Sequence, residues 1–198
     1  SMAVWVATIG LIFTSLFVGV RAETFVPYIT ISIILWGFFS NTISEGCLCF
    51  VAAEEYILTD PIPFSIFVYR ALVYGLIVSF HNLIIFAVVA IYFKVPYSAS
   101  SLLAIPGLLL FVGNCFWIIL LLSTVSTRFR DVPQVVANLL QVLFYLTPII
   151  WMAGLLPDSK RWVILANPIY HWFEVVRAPL LGTAPSASSW WVAIASLL

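Results

Sequence analysis

Five apolar runs, each long enough to cross a bilayer as a helix, follow one another along this chain with short links between them. The hydrocarbon core of a membrane is about 30 Å thick and takes roughly 20 residues of helix. Residues 2–20, 27–51, 70–93, 102–125 and 133–152 all meet or approach that length. Residues 188–198 begin a sixth run, but as a helix they would rise only about 16 Å. The chain is therefore expected to continue past that point. Its start, Ser1-Met2, lacks the basic region of a signal peptide and reads as the interior of a longer protein. No run alternates with period 2, which favours helices over the strands of a barrel. Composition supports this: 64% of residues are hydrophobic and 8% charged, whereas soluble domains carry about 25% charge. The expectation is an all-α, polytopic membrane protein with a single transmembrane domain over residues 1–198.

The links differ in character. Residues 52–69 are polar and hold Glu54, Glu55, Asp60, Pro61 and Pro63. A short surface helix fits there, capped by Thr59 or Asp60 with Pro61 in its first turn. Arg128, Arg130 and Asp131 form a second charged link on the same side, and Asp131 is placed to cap the fifth span, with Pro133 in its first turn. Residues 153–187 are long, moderately apolar and interrupted at Asn167-Pro168. Two short helices are expected, Asp158 to Ala166 and Pro168 to Leu181, the second stopped by Gly182 as its C′ residue. They read as a hairpin dipping into the opposite interface, with Trp162, Tyr170, Trp172 and Phe173 as interfacial aromatics. Asp158, Lys160, Arg161, Glu174 and Arg177 make a single tilted span across this region costly.

Recognisable chemistry is sparse. No phosphate-binding loop, G-x-S-x-G, H-E-x-x-H or C-x-x-C is present. Cys47, Cys49 and Cys115 sit in apolar runs without a companion His or Asp cluster, so they read as buried small side chains. Eight basic residues balance eight acidic ones, which gives nucleic acid no electrostatic footprint. No catalytic or metal residues are expected, and no cofactor on this chain. His171 and Glu174 are three apart and share a helix face, which suits a local polar contact. Glu45, a carboxylate within a span, reads either as a side chain reaching for the interface or as part of a polar path or subunit contact. Trp36, Trp117, Tyr145 and Trp151 read mainly as packing or interfacial aromatics, or alternatively as a wall on which sugar rings could stack. Counting Lys and Arg sets Arg70, Arg128 and Arg130 on one side against Arg21, Lys94, Lys160, Arg161 and Arg177 on the other. The positive-inside rule would put the hairpin in the cytoplasm.

The stretch from Ser126 to Trp151, S-T-R-F-R-D-V-P-Q-V-V-A-N-L-L-Q-V-L-F-Y-L-T-P-I-I-W, followed by L-A-N-P-I-Y-H-W-F-E-V-V-R from Leu165 to Arg177, resembles the membrane subunit of ABC-2-type exporters. The likeness is strongest to permeases that move O-antigen, capsule or teichoic acid, and the Pro61–Arg70 link is similar too. The resemblance implies six spans per subunit and a re-entrant hairpin, including Asn167, Pro168, His171, Glu174 and Arg177, on the exit side. It implies a second copy of the chain and two copies of a separate ATPase, which would bind ATP and Mg. Residues 52–69 would be cytoplasmic, with Glu54, Glu55, Asp60, Pro61 and Arg70 in the coupling link; this orientation is opposite to the one the charge count gives. The link is acidic where relatives are commonly basic. The implied location is the bacterial cytoplasmic membrane, among its lipids. The implied cargo is a lipid-linked glycan, with Trp36, Glu45, Tyr145 and Trp151 as candidates for its path. An exporter of small hydrophobic molecules or drugs is the alternative, and a non-transporting membrane scaffold a third reading.

Overall fold

A computed structural model describes Thr8, residues 21–59 and residues 61–198. Apart from Thr8, the expected first span falls outside the described residues, as does Asp60. The remainder is a helical bundle arranged around one central helix, α1 (Ala22–Ala52). Its buried residues lie on more than one face, Ile29, Ile31, Ile34, Leu35, Phe38, Phe39 and Ile43 among them, because the helices Ser65–Tyr92, Ala104–Arg128 and Val132–Leu146 all pack against it. Pro27 lies inside the helix. It forgoes one backbone donation and crowds the Glu23 carbonyl, a disturbance confined to the first two turns of a 31-residue helix.

After α1 the chain turns at Ala53 into α2 (Glu54–Thr59). This differs from the expected helix beginning at Pro61. Glu54 and Glu55 lie in the first turn, where carboxylates favour a helix start, and Thr59 closes the helix, its Oγ1 donating to the Glu55 carbonyl at 2.8 Å. Proline after it bars continuation. Next come α3 (Ser65–Tyr92), a 3₁₀ turn (Ala99–Leu103) and α4 (Ala104–Arg128). α3 ends with Lys94 at φ 51°, the Val95 amide donating to the Ala90 carbonyl and the Lys94 amide to that of Ile91. That is a Schellman closure built on lysine rather than glycine. Among the described residues, three helical stretches are long and apolar enough to cross a membrane: Ala22–Ala52, Ser65–Tyr92 and Ala99–Arg128.

The fifth expected span is shorter than residues 133–152. α5 covers Val132–Leu146, about 22 Å of rise against about 30 Å of hydrocarbon. Thr147, forced out of the helical region by the proline that follows it, is extended at φ −91°, ψ 133°. Asp131 occupies the N-cap position but its side chain accepts no cap hydrogen bond, so it does not cap in the way expected.

The region that follows is also more broken than expected. In place of a helix from Asp158 to Ala166 there is a 3₁₀ turn (Asp158–Lys160) and one helical turn, α6 (Trp162–Leu165). α7 (Pro168–Leu180) then runs to Gly182, which takes the C′ position at φ 79°. A Cβ there would collide with the Pro96 carbonyl, so the turn needs glycine twice over. α8 (Ala187–Ala195) packs on α7. Trp172 and Phe173 are core residues, 3% and 0% exposed, rather than interfacial anchors. α7 is held tightly: a Cβ on Gly107 of α4 would strike the Val175 carbonyl, so the two backbones touch at that point.

Candidate functional site

Two clefts flank a polar face of α1. Ser40, Asn41 and Ser44 are spaced to share one side of this helix, and Asn41 and Ser44 are exposed. In a span, polar side chains left uncovered by their own bundle face water, a partner or a ligand. The cleft between α1 and α5 is about 530 Å³ and is lined by Trp36, Ser40, Asn41, Ser44, Gln141 and Tyr145. The one between α1 and α3 is about 480 Å³ and holds Asn41, Glu45, Tyr74, Ser79 and Asn82. Two of the four candidate path residues, Trp36 and Tyr145, therefore share a cleft. Glu45 lies in the neighbouring one. Trp151 stands past the end of α5, its indole Nε1 donating to the Tyr145 carbonyl at 3.3 Å.

Trp36 is fixed and Tyr145 is free to meet a ligand. The Trp36 ring packs against Phe39, Phe144 and Phe173 at centroid distances of 5.6, 5.5 and 6.2 Å, a tilted aromatic cluster of the kind ring quadrupoles favour. Tyr145 is 68% exposed. One packed and one exposed aromatic thus face the same polar-lined space.

The polar residues of α7 and its cap turn inward, while Asp158, Lys160 and Arg161 stay exposed, and the pairing differs from expectation. His171 does not meet Glu174. Its Nδ1 lies 2.9 Å from Ser189 Oγ on α8 and its Nε2 lies 3.0 Å from the Leu165 carbonyl. That carbonyl can only accept, so Nε2 carries the proton and Nδ1 accepts from the serine. Asn167 caps α7 by accepting from the Ile169 amide at 3.0 Å, and its Nδ2 donates to Thr147 Oγ1 at 2.9 Å. Pro168 follows as the first residue of α7, where its missing N–H costs nothing. Glu174 instead accepts from Arg177, Nη2 to Oε2 at 2.7 Å. Arg177 also donates through Nη1 to the Pro148 carbonyl at 2.7 Å and to Ser32 Oγ at 3.1 Å, and its guanidinium lies over the Tyr28 ring, 4.3 Å from the centroid.

Tyr28, Ser32 and Ser189 were missed by sequence reasoning, as was Asn114. Asn114 donates to the Leu110 and Ala193 carbonyls and accepts from Trp117 Nε1 and Ser196 Oγ, at 2.8, 3.0, 3.2 and 2.8 Å. A usable signal existed for two of them. Tyr28, Ser32 and Trp36 recur every fourth residue, one stripe of α1 that ends in the cleft.

At the opposite end of the bundle a cleft of about 710 Å³ joins the two charged links, with Glu54 from one and Arg130 from the other among its lining. Glu55, Pro61, Arg70, Arg128 and Asp131 are exposed around that end. So are apolar side chains: Tyr56, Leu58, Phe64 and Phe129, with Leu58 at 78%.

A family model for the ABC-2 type transporter matches residues 2–181. Two O-antigen export system permease proteins, both named RfbA and both from Klebsiella pneumoniae, are similar at 23% identity over 155 residues and 25% over 154. Each alignment takes in 76% of this chain, and the chain spans 58% of each relative's length. The chain is an all-α, multi-span membrane protein, and it belongs to the ABC-2 type transporter family.

Proposed function

We propose that this chain is the channel-forming permease subunit of an ATP-driven exporter that moves lipid-linked polysaccharide across the bacterial cytoplasmic membrane. The observation that carries the reading is the cleft between α1 and α5, where Trp36 and Tyr145 stand beside Ser40, Asn41, Ser44 and Gln141. A sugar has apolar ring faces and a hydroxyl edge. Aromatic planes meet the first, and amides and hydroxyls the second. Similarity to O-antigen permeases points the same way.

The exporter would comprise two copies of the six-span permease and two ATPase subunits. ATP and Mg belong to the ATPase; the permease makes and breaks no covalent bond. ATP closure would push on residues 52–69, and the packed helices would shift as bodies to open the route. The hairpin of α6 and α7 would stand on the exit side. Glu54, Glu55 and Arg130, set among exposed Tyr56, Leu58 and Phe129, supply both charge and apolar surface for the ATPase contact.

The second reading, export of small hydrophobic molecules, draws on an apolar cavity of about 140 Å³ between α1, α3 and α4, lined by Ile34, Phe38, Leu76, Phe80 and Phe111. The two are separated by reconstituting the permease with its cognate ATPase in proteoliposomes. Export of lipid-linked glycan should fall at least several-fold in Tyr145→Ala and stay low in Tyr145→Leu, which keeps bulk but lacks a ring face. Wild-type glycan export in both variants would remove Tyr145 from the route. ATP-dependent efflux of a hydrophobic dye without glycan export would favour the second reading.

A further inference from the structure

We propose that Arg177 is the positioning residue of a releasable clamp that holds the hairpin-side end of the α1–α5 cleft shut. The inference goes beyond the cargo assignment and holds whether a glycan or a small molecule passes.

The guanidinium is 1% exposed and joins three pieces of chain. From α1 come the Tyr28 ring and Ser32 Oγ; from the break after α5 comes the Pro148 carbonyl; from α7 come Glu174 and Arg177 itself. Tyr28 tightens the same junction, its one hydroxyl proton directed at the Pro148 carbonyl at 2.9 Å and shared with that of Trp151 at 3.3 Å. Ser32 in turn donates to the Tyr28 carbonyl at 2.7 Å, which fixes its oxygen as an acceptor for arginine. The Pro148 carbonyl lies past the end of α5, outside any helix ladder. Arginine and tyrosine supply the donors that a continued helix would have supplied.

Position turns this junction into a clamp. Tyr28 and Ser32 lie on the α1 stripe that continues to Trp36 in the cleft wall, and Arg177 lies one turn from Phe173, which packs on Trp36. Phe144, also against Trp36, belongs to α5. Separating α1 from α5 at this end must therefore break the Tyr28–Pro148 bond and pull Arg177 away either from Ser32 and Tyr28 or from the Pro148 carbonyl. Release is possible because Glu174 is on the same helix as Arg177. The ion pair stays whole when Pro148 and Ser32 leave, so opening does not strand a buried charge, the step that would otherwise cost most. Glu174, at 24% side-chain exposure, already reaches toward the surface.

The test uses the full chain with its cognate ATPase in proteoliposomes. A single cysteine replaces Gln141, which lines the cleft, in a background lacking Cys47, Cys49 and Cys115. The labelling rate with a small hydrophilic thiol reagent reads cleft opening, and ATP hydrolysis without cargo reads coupling. Tyr28→Phe keeps the ring under the guanidinium but removes the hydroxyl and its shared bond to the Pro148 and Trp151 carbonyls. It should raise labelling and cargo-free hydrolysis about 2- to 10-fold, the factor expected for one lost hydrogen bond. Arg177→Lys, still charged but without the planar fork, should lie between wild type and Arg177→Met. Unchanged labelling and unchanged cargo-free hydrolysis in Tyr28→Phe, at wild-type expression, would overturn the clamp. Should Arg177→Met fail to insert, Tyr28→Phe still decides. None of these readouts depends on the cargo, so failure of the clamp is distinct from failure of the polysaccharide reading.

Discussion

At the scale of single residues, polar side chains in this bundle act as joints between elements. Asn114 uses both amide protons and accepts twice, so four neighbours on α4, on α8 and just past its end depend on it. One of them, Ser196 Oγ, also accepts from Trp172 Nε1 at 2.8 Å, which extends the joint to α7. Asn114→Leu conserves volume yet takes the acceptor from the Trp117 indole and cuts the tie between α4 and α8, while Ser196 Oγ keeps the Ala193 carbonyl at 3.1 Å. Because unsatisfied groups in an apolar interior keep their full desolvation penalty, the substitution should cost about 1–3 kcal/mol. A lowered thermal midpoint of the detergent-purified permease, with α8 the first segment to lose amide-exchange protection, is the expected result. An unchanged midpoint would mean the network is replaceable by packing. Arg177 belongs to the same class of joint, but its partner on its own helix, Glu174, carries the opposite charge.

At the scale of elements, proline placement decides where helices stop. Pro148→Ala removes the block that makes Thr147 extended, and the freed amide at position 148 can donate to the carbonyl of Phe144 in a continued α5. Such a helix would carry the carbonyl at 148 into its own ladder and away from Arg177 and Tyr28. Slower amide exchange at Ile149 to Trp151, together with easier labelling of a cysteine at Gln141, would show this; no change in either would mean that packing of the buried Thr147 and Ile149 holds the break. The existence of each long helix was legible in the sequence, since a run of apolar residues has no other way to satisfy its backbone in lipid. Ends were less legible. α1 starts at Ala22, ahead of Pro27, and α3 at Ser65, ahead of Arg70, because a helix can outrun its apolar stretch where polar residues reach water. The α1–α5 cleft was half legible: Trp36 and Tyr145 stood out as aromatics near polar positions, but their meeting needs two helices to pack. Arg177 with Ser32 was beyond reach. The pair is separated by 145 positions, and periodicity reports which face of a helix is apolar, not which neighbour will cover it.

At the scale of the whole molecule, what matters is which end would face the proposed ATPase. The Lys and Arg count favours the hairpin end, five to three, but it treats every charge as a loop charge. Arg177 is buried and paired to Glu174 within α7, so it offers nothing to an insertion machinery that reads exposed flanks. Removing it leaves Arg21, Lys94, Lys160 and Arg161 against Arg70, Arg128 and Arg130, four to three, and too even to set orientation. The other end carries the stronger physical demand. Tyr56, Leu58, Phe64 and Phe129 are exposed beside Glu54 and Arg130, and an apolar patch rimmed by charge is what a protein partner covers. On that argument residues 52–69 are expected to face the cytoplasm. A cysteine at Ser159, exposed in the 3₁₀ turn before α6, should then react with an impermeant maleimide from outside intact cells, in the background lacking the native cysteines. A cysteine at Thr59, exposed at the end of α2, should react only after permeabilisation, and the cognate ATPase should slow even that reaction. The opposite labelling pattern would place the hairpin in the cytoplasm. It would also move the clamp at Arg177 from the exit of the route to its entrance, leaving the geometry of the clamp intact but reversing the step of transport that it controls.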